Sequence, residues 1–178
     1  MQTFVFALTP SAPIPPTDVR LNFVCNNTAV APITTGLNTL LFSASADPTP
    51  DVVALAATVG NTGIANISGL SGPGAFAVAT VNVGASGQIT VSADTGAANL
   101  PITLSLCQTT PSTGVCLGSA GSSVTTQINS GQTPTFAIFI QGNGQLIPFD
   151  PANNRIVVRF KDAGGATRGA TSVAVRTQ

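Results

Sequence analysis

Short apolar runs recur along the whole chain at intervals of about 10 residues, and clusters of Gly, Pro, Asn or Ser separate them. This spacing is typical of antiparallel sandwiches and barrels, because each run suits one strand and each cluster supplies a turn. Helix formers other than Ala and Leu are scarce, whereas Thr, Val and Phe favour strands. The sequence therefore predicts an all-β fold, namely an antiparallel β-sandwich.

The apolar runs also predict where the strands lie. Residues 135–141 are apolar on both faces, so they are expected to form a central strand that is covered on both sides. The glycines at 84–87 mark the expected boundary between two small modules, residues 1–85 and 86–178. The predicted strands cover residues 4–8, 18–25, 38–45, 52–59, 63–67, 75–83, 88–93, 101–107, 123–128, 135–141, 155–161 and 171–176.

Missing residue types exclude whole classes of function. The chain has no His, Trp or Tyr, and all its acidic residues are Asp. Without His there is no Ser-His-Asp triad, and no base is available to activate a serine. Zero net charge and the lack of Trp and Tyr argue against nucleic-acid binding. We therefore predict neither an enzyme nor a cofactor.

Cysteine spacing bears on the compartment. Cys107 and Cys116 flank a turn sequence that contains Pro111 and Gly114, so a disulfide that closes this short loop is expected. It would indicate an oxidising compartment, outside the cell or at its surface. The alternative is two free thiols that happen to flank a turn.

The third cysteine, Cys25, ends an alternating run in which Val19, Leu21 and Phe23 share its face. This pattern predicts a buried, inert thiol. A cross-link to another chain is the alternative, because one cysteine is left over. No secretory signal and no apolar stretch of membrane-spanning length is visible, so an extracellular protein would be a mature form or a piece of a longer chain.

Three aspartates are weak candidates for calcium binding. Asp47 and Asp51 lie in a proline-containing stretch, and Asp150 begins a turn with Asn153 and Asn154. The alternative is that they cap turns, which short acidic side chains commonly do.

The charges are distributed unequally. Residues 1–154 contain one Arg against five Asp, whereas residues 155–178 contain five basic side chains against one Asp. The basic set could be a solvated face of the last hairpin or could pair with an acidic surface of the next subunit. Its members are Arg155, Arg159, Lys161, Arg168 and Arg176.

The first residues suggest a second means of assembly. Phe4, Val5, Phe6 and Leu8 form an apolar run, and prolines at 10, 13, 15 and 16 follow it. A strand on a proline-stiffened leash could pair with the sheet edge of a neighbouring copy. Alternatively, it is the first strand of its own domain.

Several strings resemble Thr/Ala/Gly-rich immunoglobulin-like β-sandwich modules of bacterial secreted surface proteins: residues 51–58, 74–84, 100–108 and 148–162. The second half also resembles the jelly-roll modules that accompany secreted peptidases. The resemblance implies an immunoglobulin-like or jelly-roll sandwich and an extracellular scaffold or adhesive role, with no catalytic residues.

These observations predict an extracellular structural protein, a building block of a surface fibre, filament or tandem surface protein. Its expected partners are copies of itself or neighbouring modules, with no membrane insertion. The alternative is an adhesive module that binds carbohydrate or a host surface.

Overall fold

The computed structural model describes residues 3–178, which form an all-β fold of three sheets. A short 3-10 turn, Val59–Asn61, follows the third strand. The strands are β1 Ile14–Arg20, β2 Thr39–Ala44, β3 Val52–Ala57, β4 Ile64–Ile67, β5 Pro73–Asn82, β6 Gly87–Asp94, β7 Ile102–Thr109, β8 Ser123–Ile128, β9 Thr135–Gly142, β10 Arg155–Asp162 and β11 Thr167–Thr177.

Two of the sheets pack face to face as a β-sandwich, which confirms the predicted fold class. One has the order β4-β11-β10-β6-β8 and the other the order β3-β5-β9-β7, while β1 and β2 form a separate hairpin. All strand pairings are antiparallel except that of β4 with β11. Alternate side chains of both sheets fill one shared apolar core.

The ring of Phe136 on β9 packs edge-on against that of Phe160 on β10, with centroids 5.7 Å apart. Both rings are fully buried, and they join the two sheets at the centre of the core. The alternation of apolar residues in the sequence therefore places one face of each strand inside the sandwich.

Most predicted strands are present, with ends that differ by a few residues. Two predictions at the N-terminal side are wrong. Residues 4–8 form no strand, and the strand predicted at 18–25 lies earlier, at Ile14–Arg20. Here β1 contains Pro15 and Pro16 at a register shift between Ile14 and Thr17, which is where a hairpin tolerates prolines that cannot donate hydrogen bonds.

The expected division into modules 1–85 and 86–178 does not match the strand pairing. Both sandwich sheets contain strands from each side of residue 85: β5 pairs with β9, and β4 pairs with β11. The glycines at 84–87 form the connection between β5 and β6 rather than a linker. The physical reason is that apolar side chains from strands of both halves fill one shared core.

The prediction for the strand at 135–141 holds in part. As expected, β9 is central, between β5 and β7. Only one of its faces is covered, however, because Phe136, Ile138 and Ile140 are buried whereas Phe139 on the opposite face is 37% exposed. Apolar residues on both faces were therefore a correct signal for a central strand but not for two covering layers.

Close backbone approach closes one side of the sandwich. A Cβ atom at Gly169 would lie 2.0 Å from the carbonyl oxygen of Val52, so only glycine allows β11 to come this close to β3. Similarly, a Cβ atom at Gly74 of β5 would lie 2.8 Å from the carbonyl oxygen of Asn66 in β4. These contacts bring β3, β4, β5 and β11 together along the same side.

A buried asparagine connects the two sheets at one end of the sandwich. Asn82 is fully buried, and its side-chain oxygen accepts hydrogen bonds from the N–H groups of Asp51 and Gly84, at 3.0 and 3.1 Å. Its amide nitrogen donates to the carbonyl groups of Ala85 and Ile128, at 2.8 and 3.1 Å. The side chain of Asn82 therefore hydrogen-bonds to backbone groups at the ends of β3, β5 and β8.

Replacing this asparagine should be strongly destabilising. We expect Asn82→Ala to lower the free energy of unfolding by about 3 kcal/mol, because several buried backbone groups lose their partner at about 1–3 kcal/mol each. Urea unfolding followed by far-ultraviolet circular dichroism measures this change. Asn99→Ala is the matched control, since Asn99 is exposed, and an equal loss in both variants would contradict the connecting role of Asn82.

Candidate functional site

The apolar segment of residues 3–8 is exposed on the surface, outside every strand pairing in the described part of the chain. Val5 is 97% exposed, and Phe4 and Phe6 are 58% and 56% exposed. The ring of Phe4 contacts that of Phe23 at 6.2 Å between centroids. Large apolar side chains at this level of exposure usually mark a surface that binds a partner.

The basic side chains of the last hairpin are engaged within their own chain. Arg159 forms an ion pair with Asp94 at 2.7 Å, and Arg168 forms one with Asp162 at 2.6 Å. Partial burial acts to raise the pKa of Asp94, but the hydrogen bonds from Arg159 and from the backbone of Gly96 outweigh it and hold the pKa below 3.8. These contacts favour a face that stabilises the hairpin itself.

Two more arginines in this region also have local partners. Arg155 donates to the hydroxyl and carbonyl oxygens of Ser172 and to the carbonyl of Pro151, and burial lowers its pKa. Arg176 donates to the side-chain oxygen of Asn66 at 2.9 Å and lies over the ring of Phe149. An assembly role for the basic set, including Lys161, stays a prediction.

The three aspartates that were weak candidates for calcium binding do not form a metal-binding cluster in the described part of the chain. Within residues 3–178, no group of three or more His, Cys, Asp or Glu side chains could hold a metal ion. Asp47 and Asp51 are exposed. Asp150 caps its turn, because its carboxylate accepts from the side chain and backbone of Asn153, and chiefly that side chain holds the pKa of Asp150 below 3.8.

The predicted disulfide is present between Cys107 and Cys116, with 5.6 Å between their Cα atoms. Cys107 is buried at the end of β7, and Thr109 pairs with Cys116 across the loop. Cys25 is exposed, so the prediction of a buried thiol is wrong. The reason is that β1 ends at Arg20, so the alternating residues from Leu21 to Cys25 do not lie in a strand.

A cleft of about 580 Å³, lined by both charged and apolar side chains, separates the loop around residues 33–35 from β6 and β10. Asp94, Arg155 and Arg159 line it, and each already has the intrachain partners described above. No aromatic side chain lines this cleft.

The outer face of the four-stranded sheet carries exposed apolar side chains that the sequence analysis did not predict. Val53 and Leu55 of β3 are 49% and 68% exposed, and Phe139 lies on the same face of β9. Alanines of β5 lie between them, at positions 75, 77 and 79. The signal was present, because residues 52–57 are apolar throughout rather than alternating with polar side chains.

No family model matches the chain, and no curated protein matches it. Among solved structures, it is similar to a non-cellulosomal cohesin from the hyperthermophilic archaeon Archaeoglobus fulgidus, with 13% identity and a TM-score of 0.34, over 72% of this chain and 91% of that one. A β-glucosidase from Erythrobacter marinus is similar with 15% identity and a TM-score of 0.36, over 89% of this chain and 18% of that one. Both TM-scores are too low to carry an argument about function.

No helix within residues 3–178 is both long and apolar enough to cross a lipid bilayer. The disulfide is of the kind that persists in oxidising compartments.

Removing the disulfide should destabilise the sandwich. We expect the double variant Cys107→Ala, Cys116→Ala to lose roughly 2–3 kcal/mol of unfolding free energy, because the crosslink restricts the unfolded chain. Urea unfolding without reductant measures it. Cys25→Ser is the control and should leave stability unchanged, since Cys25 is exposed; a double variant as stable as the parent would contradict a stabilising crosslink.

Acid should weaken the ion pair of Asp162 with Arg168, both of whose side chains are largely buried. Burial acts to raise the pKa of Asp162, but the hydrogen bonds from Arg168 and from the N–H groups of Ala166 and Gly164 outweigh it and hold the pKa below 3.8. The ionised carboxylate of Asp162 therefore makes its full contribution to stability at pH values well above 3.8. This contribution is lost as the pH falls through the lowered pKa.

Asp162→Asn should accordingly cost about 1–2 kcal/mol near neutral pH and progressively less in acid. Unfolding free energies measured over a pH series test this, with the exposed Asp47→Asn as control. A difference between parent and variant that stays constant through the acid range would contradict the assignment.

Proposed function

We propose that the protein is an extracellular structural protein, a β-sandwich building block of a bacterial surface fibre, filament or tandem surface protein that assembles end to end. The observation that carries the proposal is the segment of residues 3–8, whose large apolar side chains are exposed and whose backbone has no strand partner in the described part of the chain. A neighbouring copy would bury these side chains and supply the missing backbone hydrogen bonds.

The surface of the molecule supports the same conclusion. Only 7% of the residues are charged and the formal net charge is zero, so charge repulsion does little to keep copies apart. The apolar outer face with Val53, Leu55 and Phe139 adds a second surface that association would cover. An oxidising location is supported by the Cys107–Cys116 disulfide.

The resemblance to Thr/Ala/Gly-rich immunoglobulin-like modules of bacterial surface proteins supports a scaffold role. An adhesive or carbohydrate-binding module is the second candidate, and the cleft lined by Asp94, Arg155 and Arg159 is the observation that favours it. The first candidate is preferred because the charged groups of this cleft already have intrachain partners and the cleft lacks the aromatic rings on which sugars usually stack.

Sedimentation velocity over a concentration series, together with negative-stain electron microscopy, tests the assembly. The parent chain should form concentration-dependent oligomers or fibres. Phe4→Asp with Phe6→Asp should abolish them and leave a folded monomer, because two charges would have to be buried at the contact.

The matched control carries Val59→Asp with Leu146→Asp, which alter apolar side chains elsewhere that are even more exposed, at 87% and 69%. This control should assemble like the parent. A parent chain that remains monomeric at every concentration would overturn the assembly function, and binding of sugars in the cleft would then be the next measurement.

A further inference from the structure

We propose that the segment of residues 3–8 of one copy adds as a sixth strand to the free edge of β8 in the five-stranded sheet of the next copy. This inference rests on the proposed assembly and names the surface that receives the segment. Its occupant is a second copy of this chain.

The other edges of the sandwich are occupied along part of their length. Gly169 of β11 packs against the Val52 carbonyl of β3, and Gly74 of β5 packs against the Asn66 carbonyl of β4. The second half of β7 pairs with the loop at residues 116–121, where the N–H groups of Leu106 and Gly121 each donate to the other residue's carbonyl.

Like the other edge strands, β8 pairs with one neighbouring strand, β6, but in the described part of the chain no isolated bridge lies along its outer side. Exposed edges usually carry charged side chains or prolines that prevent pairing with another chain. β8 has the sequence SVTTQI and contains neither. Its edge is therefore unprotected.

Some apolar side chains of β7 and β8 are incompletely buried. Leu106 of β7 and Ile128 of β8 are fully buried, but Val124 of β8 and Ile102 and Leu104 of β7 are only partly buried where they pack on the core. An additional strand beside β8 would cover the partly buried side chain of Val124 on that strand. It would thereby extend the core by burying more apolar surface.

The segment of residues 3–8 has the pattern that this position requires. Phe4, Phe6 and Leu8 alternate with Val5 and Ala7, so one face of an extended strand is entirely apolar and bulky. β8 has 6 residues, and its core-facing positions, 124, 126 and 128, have the same spacing of two. Neither the segment nor β8 contains a charged residue that would oppose pairing.

A complementation experiment tests the proposal with full-length chains. The donor-defective chain carries Phe4→Asp and Phe6→Asp, and the acceptor-defective chain carries Val124→Lys, which places an inward-pointing charge on the edge. Each chain alone should be monomeric. An equimolar mixture should form dimers and nothing larger, because only one intact segment and one intact edge can meet.

The outcomes separate the two proposals. If the Val124→Lys chain assembles like the parent while the donor-defective chain does not, the β8 edge is wrong and assembly stands. A parent that never assembles overturns both. Leu70→Lys, at an apolar position that is 48% exposed and lies away from β8, is the matched control and should assemble like the parent.

A peptide provides a second measurement that does not depend on the folding of the Val124→Lys chain. A synthetic peptide with the sequence of residues 3–8 should bind the donor-defective chain saturably, and NMR chemical-shift changes should concentrate on residues 123–128. The same peptide carrying Phe4→Asp and Phe6→Asp should not bind. Shift changes confined to the outer face around Leu55 and Phe139 would overturn the assignment.

Discussion

The packing of Phe136 against Phe160 holds the two sheets of the sandwich together, and the rest of the structure depends on it. Both rings lie on central strands, β9 and β10, so each is surrounded by paired strands on both sides. β9, β10 and β11 come from the second half of the chain, and the early strands pack with them: β5 pairs with β9, and β3 and β4 contact β11. The sandwich is therefore one cooperative core rather than two consecutive modules.

The two sides of the sandwich are closed to different extents, and this difference indicates which side is available to bind another copy. The side with β3, β4 and β11 is closed by backbone approaches that only glycines such as Gly169 permit. The opposite side ends in β8, next to partly buried Val124 and Leu104. Asn82 fixes the end of β8 through the Ile128 carbonyl, so this edge is held in place although no strand covers it.

The sequence pattern predicted the strands of the sandwich well because their alternation reflects burial in a shared core. It failed at residues 4–8 and at Cys25. Apolar residues alternate there, but in the described part of the chain these residues do not pair with a neighbouring strand. The paired cysteines were predictable, since a disulfide across a turn is a local property of the chain. The domain boundary was not, because the pairing of β4 with β11 joins residues far apart in sequence.

The same distinction applies to the candidate site. The apolar segment of residues 3–8 could be identified from the sequence alone. The edge proposed to bind it could not, because which strand lies outermost depends on the whole sheet topology. The basic residues illustrate the converse. Clustered in the sequence, Arg159 and Arg168 form intrachain ion pairs with Asp94 and Asp162, while Arg155 and Arg176 donate to neutral oxygens. Once those arginines are engaged, strongly exposed apolar side chains such as Val5 and Leu55 remain available for association. A surface of that kind favours contact through strand pairing and apolar burial over electrostatic attraction.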